Sequence, residues 1–184
     1  MAAKKRKQIE LALQGGGAHG AFTWGVLDRL LEDARLHIAG LSGTSAGAMN
    51  GAIVADGIVR GGYDNAREKL EEFWSAVSAA GKLSPIRRTP LDMLMGNWSL
   101  DYSPGYVAAD AMSRVFSPYD LNPLNINPLR DIVADHIDFE RVNRCVDLKL
   151  FITATNVRTG RTKIFRQPQI SADALMASAC LPTL

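Results

Sequence analysis

The sequence is short of several things, and each shortage removes a class of protein. It holds two cysteines, Cys145 and Cys180, among 184 residues. They lie at no metal-ligand spacing and pair only if the fold brings them together, so two buried thiols in a cytoplasmic protein are the expectation. No run approaches the ~20 apolar residues that a membrane-spanning helix needs. The stretch from Ile9 to Leu13 is too short for the apolar part of a signal peptide and meets Gly15, Gly16 and Gly17 at once. Charge imbalance is small as well: the formal net charge is +2, too little to argue for a nucleic-acid partner. The one basic run, Lys4, Lys5, Arg6 and Lys7, is a solvated and frayed start or a weak attraction to anionic lipid, worth ~1 kcal/mol per charge. Peripheral membrane contact is the most it offers.

What is present is ordinary globular material, 47% hydrophobic and 22% charged, enough for one domain with a core. Ile9, Leu11 and Leu13 alternate with Glu10 and Ala12, which predicts a short strand ending in glycines. Phe22, Val26, Leu27, Leu30 and Leu31 recur at helical spacing, which predicts a helix from about His19 to Asp33. His37 to Leu41 is a second strand, and Ala46 to about Ala55 a second helix. Strand, helix, strand, helix with short connections argues for a parallel sheet with helices on its faces. Leu70, Phe73, Trp74 and Val77 mark a helix over Asn65 to Ala79. Ser103-Pro104 and Asn127-Pro128 are helix starts, with a loop through Asn122, Pro123 and Asn125 between them. Leu148 to Thr155 reads as a buried strand, Thr159-Gly160 as a turn, Lys163 to Arg166 as its hairpin partner, and Ser171 to Cys180 as a last helix stopped near Pro182.

Two glycine-rich turns carry the chemistry. Gly15-Gly16-Gly17-Ala18-His19-Gly20 lies between a strand and a helix. Glycines there let the backbone come close to a ligand with its N–H groups pointing inward, and the helix behind adds a positive end. Such a loop holds a phosphate, or the oxyanion formed when an ester carbonyl is attacked. Its spacing also matches the dinucleotide fingerprint. That fold needs an acidic residue about 20 positions on, yet no Asp or Glu occurs between Asp33 and Asp56. No Gly-Lys-Ser/Thr follows either, which excludes a P-loop.

The second turn, Gly43-Thr44-Ser45-Ala46-Gly47, is a G-x-S-x-G pattern between a predicted strand and a predicted helix. A sharp strand-to-helix turn lifts a serine Oγ out of the sheet, and small neighbours let the strained turn and the helix pack closely. Alone, the pattern also fits a helix-capping serine in a Gly-rich turn. One βα unit after a triple-glycine loop, it pairs a nucleophile with oxyanion donors at the C-terminal ends of parallel strands, where open α/β sheets place their sites.

Leu13-Gln14-Gly15-Gly16-Gly17-Ala18-His19-Gly20 followed by Gly43-Thr44-Ser45-Ala46-Gly47 closely resembles the patatin-like phospholipase family. Ser117-Pro118-Tyr119-Asp120-Leu121-Asn122-Pro123-Leu124 and Ala177-Ser178-Ala179-Cys180-Leu181-Pro182 look like bacterial members. The resemblance implies a three-layer α/β/α fold with a mostly parallel sheet. It implies a Ser-Asp dyad with no catalytic histidine, and hydrolysis of acyl-lipid esters without calcium or another cofactor. Ser45 is then the catalytic nucleophile in an elbow of Gly43, Thr44, Ala46 and Gly47. The N–H groups of Gly15, Gly16, Gly17 and Ala46 form the oxyanion hole. The family often has Arg or Lys where this chain has His19, which leaves the backbone donors intact. His19 is expected to shape the loop or line the pocket mouth, and His37 and His136 to be structural or surface residues.

The resemblance also implies a catalytic Asp in an Asp-Gly-Gly or Asp-Gly-Ala motif shortly after the region of Leu181-Pro182-Thr183. The one Asp-Gly pair here is Asp56-Gly57, read as the C-terminal end of the elbow helix with Gly57 as its cap. The expectation is therefore a single domain over residues 1–184, an N-terminal piece of a longer hydrolase, with a later segment supplying the Asp and little turnover by these residues alone. A non-catalytic lipid-binding module is the alternative. The apolar stretch of Leu91, Met93, Leu94, Met95, Trp98 and Leu100 reads as core under a long connection or as an adaptable acyl-chain wall.

Overall fold

The alternation that predicts the first strand holds. Strand β1 (Lys7–Leu13) half-buries Ile9, Leu11 and Leu13 and exposes Gln8, Glu10 and Ala12. The computed structural model describes residues 6–33, 35–82, 93–96, 103–113 and 127–180. A single turn of 3-10 helix (Gly17–His19) leads into α1 (Gly20–Leu31), then β2 (Leu36–Gly43) and α2 (Ala46–Gly81). After α3 (Pro104–Ser113), α4 (Pro128–His136) and α5 (Phe139–Arg144) come β3 (Lys149–Thr155), β4 (Thr162–Arg166) and α6 (Ala172–Ala179). The sheet has the order β1-β2-β3-β4, with the first three strands parallel and β4 antiparallel to β3. This is the expected α/β fold with a mostly parallel sheet. The loop through Asn122 to Asn125, the Ser117–Leu124 segment, Leu91, Trp98, Leu100 and Leu181–Leu184 lie outside the described residues, as do Lys4 and Lys5.

The described residues fall into two compact units, one drawn from residues 6–77 and 129–180 and one from residues 78–128. The second includes α3, whose start is marked by the buried Ser103, and the exposed Met93, Leu94 and Met95. The first holds the sheet and the two glycine turns. Its core joins Leu27 and Leu31 of α1, Ile38 and Leu41 of β2, Phe73 of α2 and Leu150 and Ile152 of β3. Ile38 and Leu41 are three apart, which in a regular strand puts them on opposite faces. The pairing shifts between Ile9 and Glu10, so Ile9 faces Ile38 while Leu11 faces Leu41. Ala39 is the extra residue of a bulge, and both apolar side chains reach the same core face.

The reading of Asp56-Gly57 as a helix end is corrected. Helix α2 runs through both residues and breaks at Gly61 (φ −157°) and Gly62 (φ 82°) instead. Gly57 serves a close crossing: a Cβ there would lie 2.3 Å from Ala66 Cα. Asp56 is wholly buried, not at a frayed end. Arg141 donates to its Oδ1 at 3.0 Å. Lys69 Nζ stands 3.0 Å from Oδ2, an ion pair whose angles fall short of a hydrogen bond, and itself donates to the carbonyl of His136 at 2.7 Å. The expected pair of buried thiols is also corrected: Cys145 is half-buried and Cys180 exposed, and neither is in a disulfide among the described residues. Among the described residues no helix is long and apolar enough to cross a membrane.

Candidate active site

Strands β1 and β2 are parallel neighbours with Leu13 opposite Gly43, so the loops that leave their C-terminal ends start side by side. The contact between them is at the limit of packing. A Cβ on Gly15 would lie 3.0 Å from Thr44 O and 3.3 Å from Ser45 Cβ. A Cβ on Gly47 would lie 2.2 Å from Leu13 O and 2.7 Å from Gln14 O. Only glycine lets the first turn of α2 rest on the backbone at the end of β1. One on Gly43 would strike Gly47 at 2.5 Å, which closes the turn.

Between those glycines Ser45 has φ 53°, the one positive φ of a non-glycine residue among those described. Such a backbone costs energy and persists only where the surroundings fix it. Two hydrogen bonds fold the turn into the helix: Gly47 N donates to Thr44 O at 2.9 Å and Met49 N to Ser45 O at 3.1 Å. The second has a consequence for the next peptide. The carbonyl and the N–H of one trans peptide point in opposite directions. Because Ser45 O points into α2, the Ala46 N–H points out of the helix's N-terminal end, where intrahelical partners are lacking. The N-terminal end also carries partial positive charge. Ser45 itself is half-buried and Thr44 exposed, so the serine stands at the surface of the turn.

The glycine loop is held in its own way. Gly16 (φ 156°) and Gly17 (φ 56°) have backbones that L side chains rarely adopt, with open space where a Cβ on Gly17 would be. His19 N donates to Gly16 O at 3.1 Å, and the His19 ring Nδ1 is 3.2 Å from the same carbonyl. A carbonyl only accepts, so that nitrogen carries the proton, and His19 shapes the loop. His37 is exposed in β2, and His136 bonds through Nδ1 to Ile132 O at 2.8 Å, away from the two turns in α4.

Two further contacts, invisible in the sequence, hold the site: one joins the two turns, the other ties the elbow to the sheet. Buried Asn50, one helical turn past the elbow, donates to Gly20 O at 2.9 Å and accepts from Trp74 Nε1 at 2.8 Å. A Cβ on Gly20 would meet Ala46 Cβ at 2.6 Å and the Trp74 ring at 2.8 Å, so the starts of α1 and α2 are in contact. Trp74 is thus a core residue with a polar handle. The second contact comes from α6, where Ser178 Oγ accepts from Ser45 N at 2.8 Å and donates to Thr153 O at 2.6 Å. Asp56, by contrast, is excluded as a base for Ser45: its carboxylate is engaged by Lys69 and Arg141.

The sequence model of the patatin-like phospholipase family matches residues 11–184. Among solved structures, VipD from Legionella pneumophila is 18% identical, with 100% of this chain and 43% of that chain covered and a TM-score of 0.46. The heterodimeric ExoU–SpcU complex from the type III secretion system of Pseudomonas aeruginosa is also 18% identical, with 96% and 36% covered and a TM-score of 0.34. The chain thus spans less than half the length of either structure's matched chain. No curated protein sequence matches it.

Proposed function

The chain belongs to the patatin-like phospholipase family of lipid-ester hydrolases, and on that premise we propose that it carries the nucleophile and oxyanion hole of a serine acyl hydrolase. Ser45 Oγ attacks the ester carbonyl and gives its proton to a carboxylate. The carbonyl oxygen, now an oxyanion, is held by backbone N–H groups of Gly15, Gly16 and Gly17 together with that of Ala46. Collapse of the tetrahedral intermediate releases the alcohol, which takes the proton back from the carboxylic acid, and leaves an acyl-Ser45. Water, deprotonated by the same carboxylate, then attacks the acyl carbonyl; the second tetrahedral intermediate collapses by breaking the bond to Ser45 Oγ, which takes that proton back, and the fatty acid is freed. The carboxylate is an Asp of the dyad that the family resemblance implies; no Asp-Gly-Gly or Asp-Gly-Ala motif within these 184 residues offers it. Neither a metal nor another cofactor has a step to perform in this scheme. The substrate is an acyl lipid, met at a membrane surface.

One observation supports this reading above the others: a non-glycine residue held at φ 53°, with Gly15 of the triple-glycine loop packed directly against it. A helix-capping serine in an ordinary turn needs neither. The test is hydrolysis of p-nitrophenyl esters by the full-length protein and its Ser45→Ala variant, with circular dichroism to confirm folding. Loss of several orders of magnitude is expected, since a nucleophile works as a unit with its base. Substantial turnover by a folded Ser45→Ala protein means that another residue attacks.

A further inference from the structure

The contact from α6 assigns a task to a residue that this mechanism does not use. Ser178 lies in the last turn of α6, 133 residues from Ser45, and joins the Ser45 amide to a carbonyl of β3 just past the last β2–β3 pair, Gly43 opposite Ile152. A serine hydroxyl has one hydrogen. Thr153 O of β3 takes it at 2.6 Å, so the oxygen faces Ser45 N as an acceptor, at 2.8 Å. The direction of both bonds is therefore fixed, and the hydroxyl has no hydrogen left to offer a substrate.

The position of this bond gives it its effect. Ser45 is pinned at its carbonyl by Met49 N and at its amide by Ser178 Oγ. Those two atoms bracket the φ and ψ of the strained residue, and so set the aim of its side chain. They also set the plane of the Ser45–Ala46 peptide, whose N–H is an oxyanion donor in the proposed mechanism. The bond to Met49 comes with the helix. The bond to Ser178 anchors the turn to the sheet through Thr153 in β3, the strand next to β2. With Ser178 absent, the Ser45 amide and the Thr153 carbonyl lose a partner together, and the positive φ loses a hydrogen-bonded restraint from outside α2.

We propose that Ser178 is a positioning residue for the nucleophile elbow, its hydroxyl tying the Ser45 amide to the Thr153 carbonyl so that Ser45 Oγ and the Ala46 N–H are aimed together. The proposal rests on Ser45 being the nucleophile. It is tested in the full-length protein with Ser178→Ala, Ser178→Thr and, as a control, Ser45→Ala. Three readouts are needed: kcat and KM for a p-nitrophenyl ester, with active sites titrated by the burst; the rate of covalent labelling by a fluorophosphonate; and the melting temperature.

Ser178→Ala is expected to lower kcat per active site and the labelling rate about 10- to 100-fold, the scale of a misplacement approaching 1 Å, with KM within about two-fold. Ser178→Thr keeps the hydroxyl and should recover most of the loss. A merely structural role lowers the melting temperature and the titrated fraction but leaves kcat per active site unchanged, and that result overturns the proposal. If Ser178→Ala does not fold, Ser178→Cys, nearly isosteric but a weak donor and acceptor, is read the same way: a reduced kcat supports the proposal and a wild-type kcat overturns it. Ser45→Ala keeps the two failures apart. Turnover surviving in that variant removes the nucleophile itself, whereas an inactive Ser45→Ala beside a fully active Ser178→Ala removes only the positioning role.

Discussion

Substituting Gly47 by alanine tests whether the two glycine turns are joined as tightly as they stand. The new methyl would lie 2.2 Å from Leu13 O and 2.7 Å from Gln14 O, whereas ordinary contact begins at 3.4 Å. Both obstacles are backbone, one at the end of β1 and one at the start of the glycine loop, so neither can rotate away. The first turn of α2 must then move from the loop by roughly 1 Å, and Ser45 and Ala46 move with it. A shift of that size costs on the order of 100-fold in rate when it separates a nucleophile from its oxyanion donors. Overpacking should also lower stability by about 1–3 kcal/mol, roughly 3–10 °C in melting temperature for a domain of this size. The assay is kcat for a soluble ester in the full-length protein, beside a thermal melt. Gly25→Ala is the control: it is a helical glycine with nothing within 4 Å of its Cβ position, and the same methyl there should stabilise by about 0.5–1 kcal/mol. Wild-type kcat and melting temperature in Gly47→Ala would refute the close apposition.

Three other outcomes follow from contacts away from the turns. Asp56→Ala leaves Lys69 and Arg141 without their buried partner and should cost about 3–5 kcal/mol, measured by denaturant unfolding, while Asp56→Asn, where it folds, keeps its ester hydrolysis because Asp56 is not the base. Asn50→Leu removes the bonds to Gly20 O and Trp74 Nε1 and should destabilise by about 1–3 kcal/mol, with Trp fluorescence reporting the freed indole. Asp138 caps α5, and its carboxyl is held below the usual aspartate range, chiefly by the Arg141 N–H and then by the Arg141 charge. Its contribution is complete above the unfolded value of ~3.9 and fades as pH falls through the lower folded value. The melting-temperature gap between wild type and Asp138→Ala should therefore narrow on acidification, and a gap independent of pH contradicts the cap.

What the sequence made legible was local. The two glycine turns were readable because turn chemistry is written in adjacent residues, and β1 because its apolar residues alternate. Strand β2 was less so: the bulge at Ala39 breaks the period-two signal that Ile38 and Leu41 would otherwise give. Gly57 misled because a helix end and a close helix crossing both call for glycine, and the crossing partner, Ala66, is named only by the fold. The end itself lay at Gly61 and Gly62. The burial of Asp56 was not legible, because Arg141, one of the two cations that neutralise it, lies 85 residues away. Ser178 is the extreme case. Its hydroxyl meets the Ser45 amide across 133 residues, and nothing in its neighbours along the chain indicates that contact.

The central claim is that Ser45 forms a covalent intermediate, and the most direct measurement is to locate the adduct. The full-length protein is labelled with a fluorophosphonate, digested with trypsin and sequenced by tandem mass spectrometry. Cleavage after Arg35 and Arg60 yields a peptide from Leu36 to Arg60 that holds two serines, Ser42 and Ser45. Fragment ions that break between them separate the two. The expected result is one phosphonyl group on Ser45, absent after boiling the protein first and absent in Ser45→Ala. An adduct on Ser42, on a serine outside this peptide, or unchanged labelling of Ser45→Ala would contradict the assignment of the nucleophile.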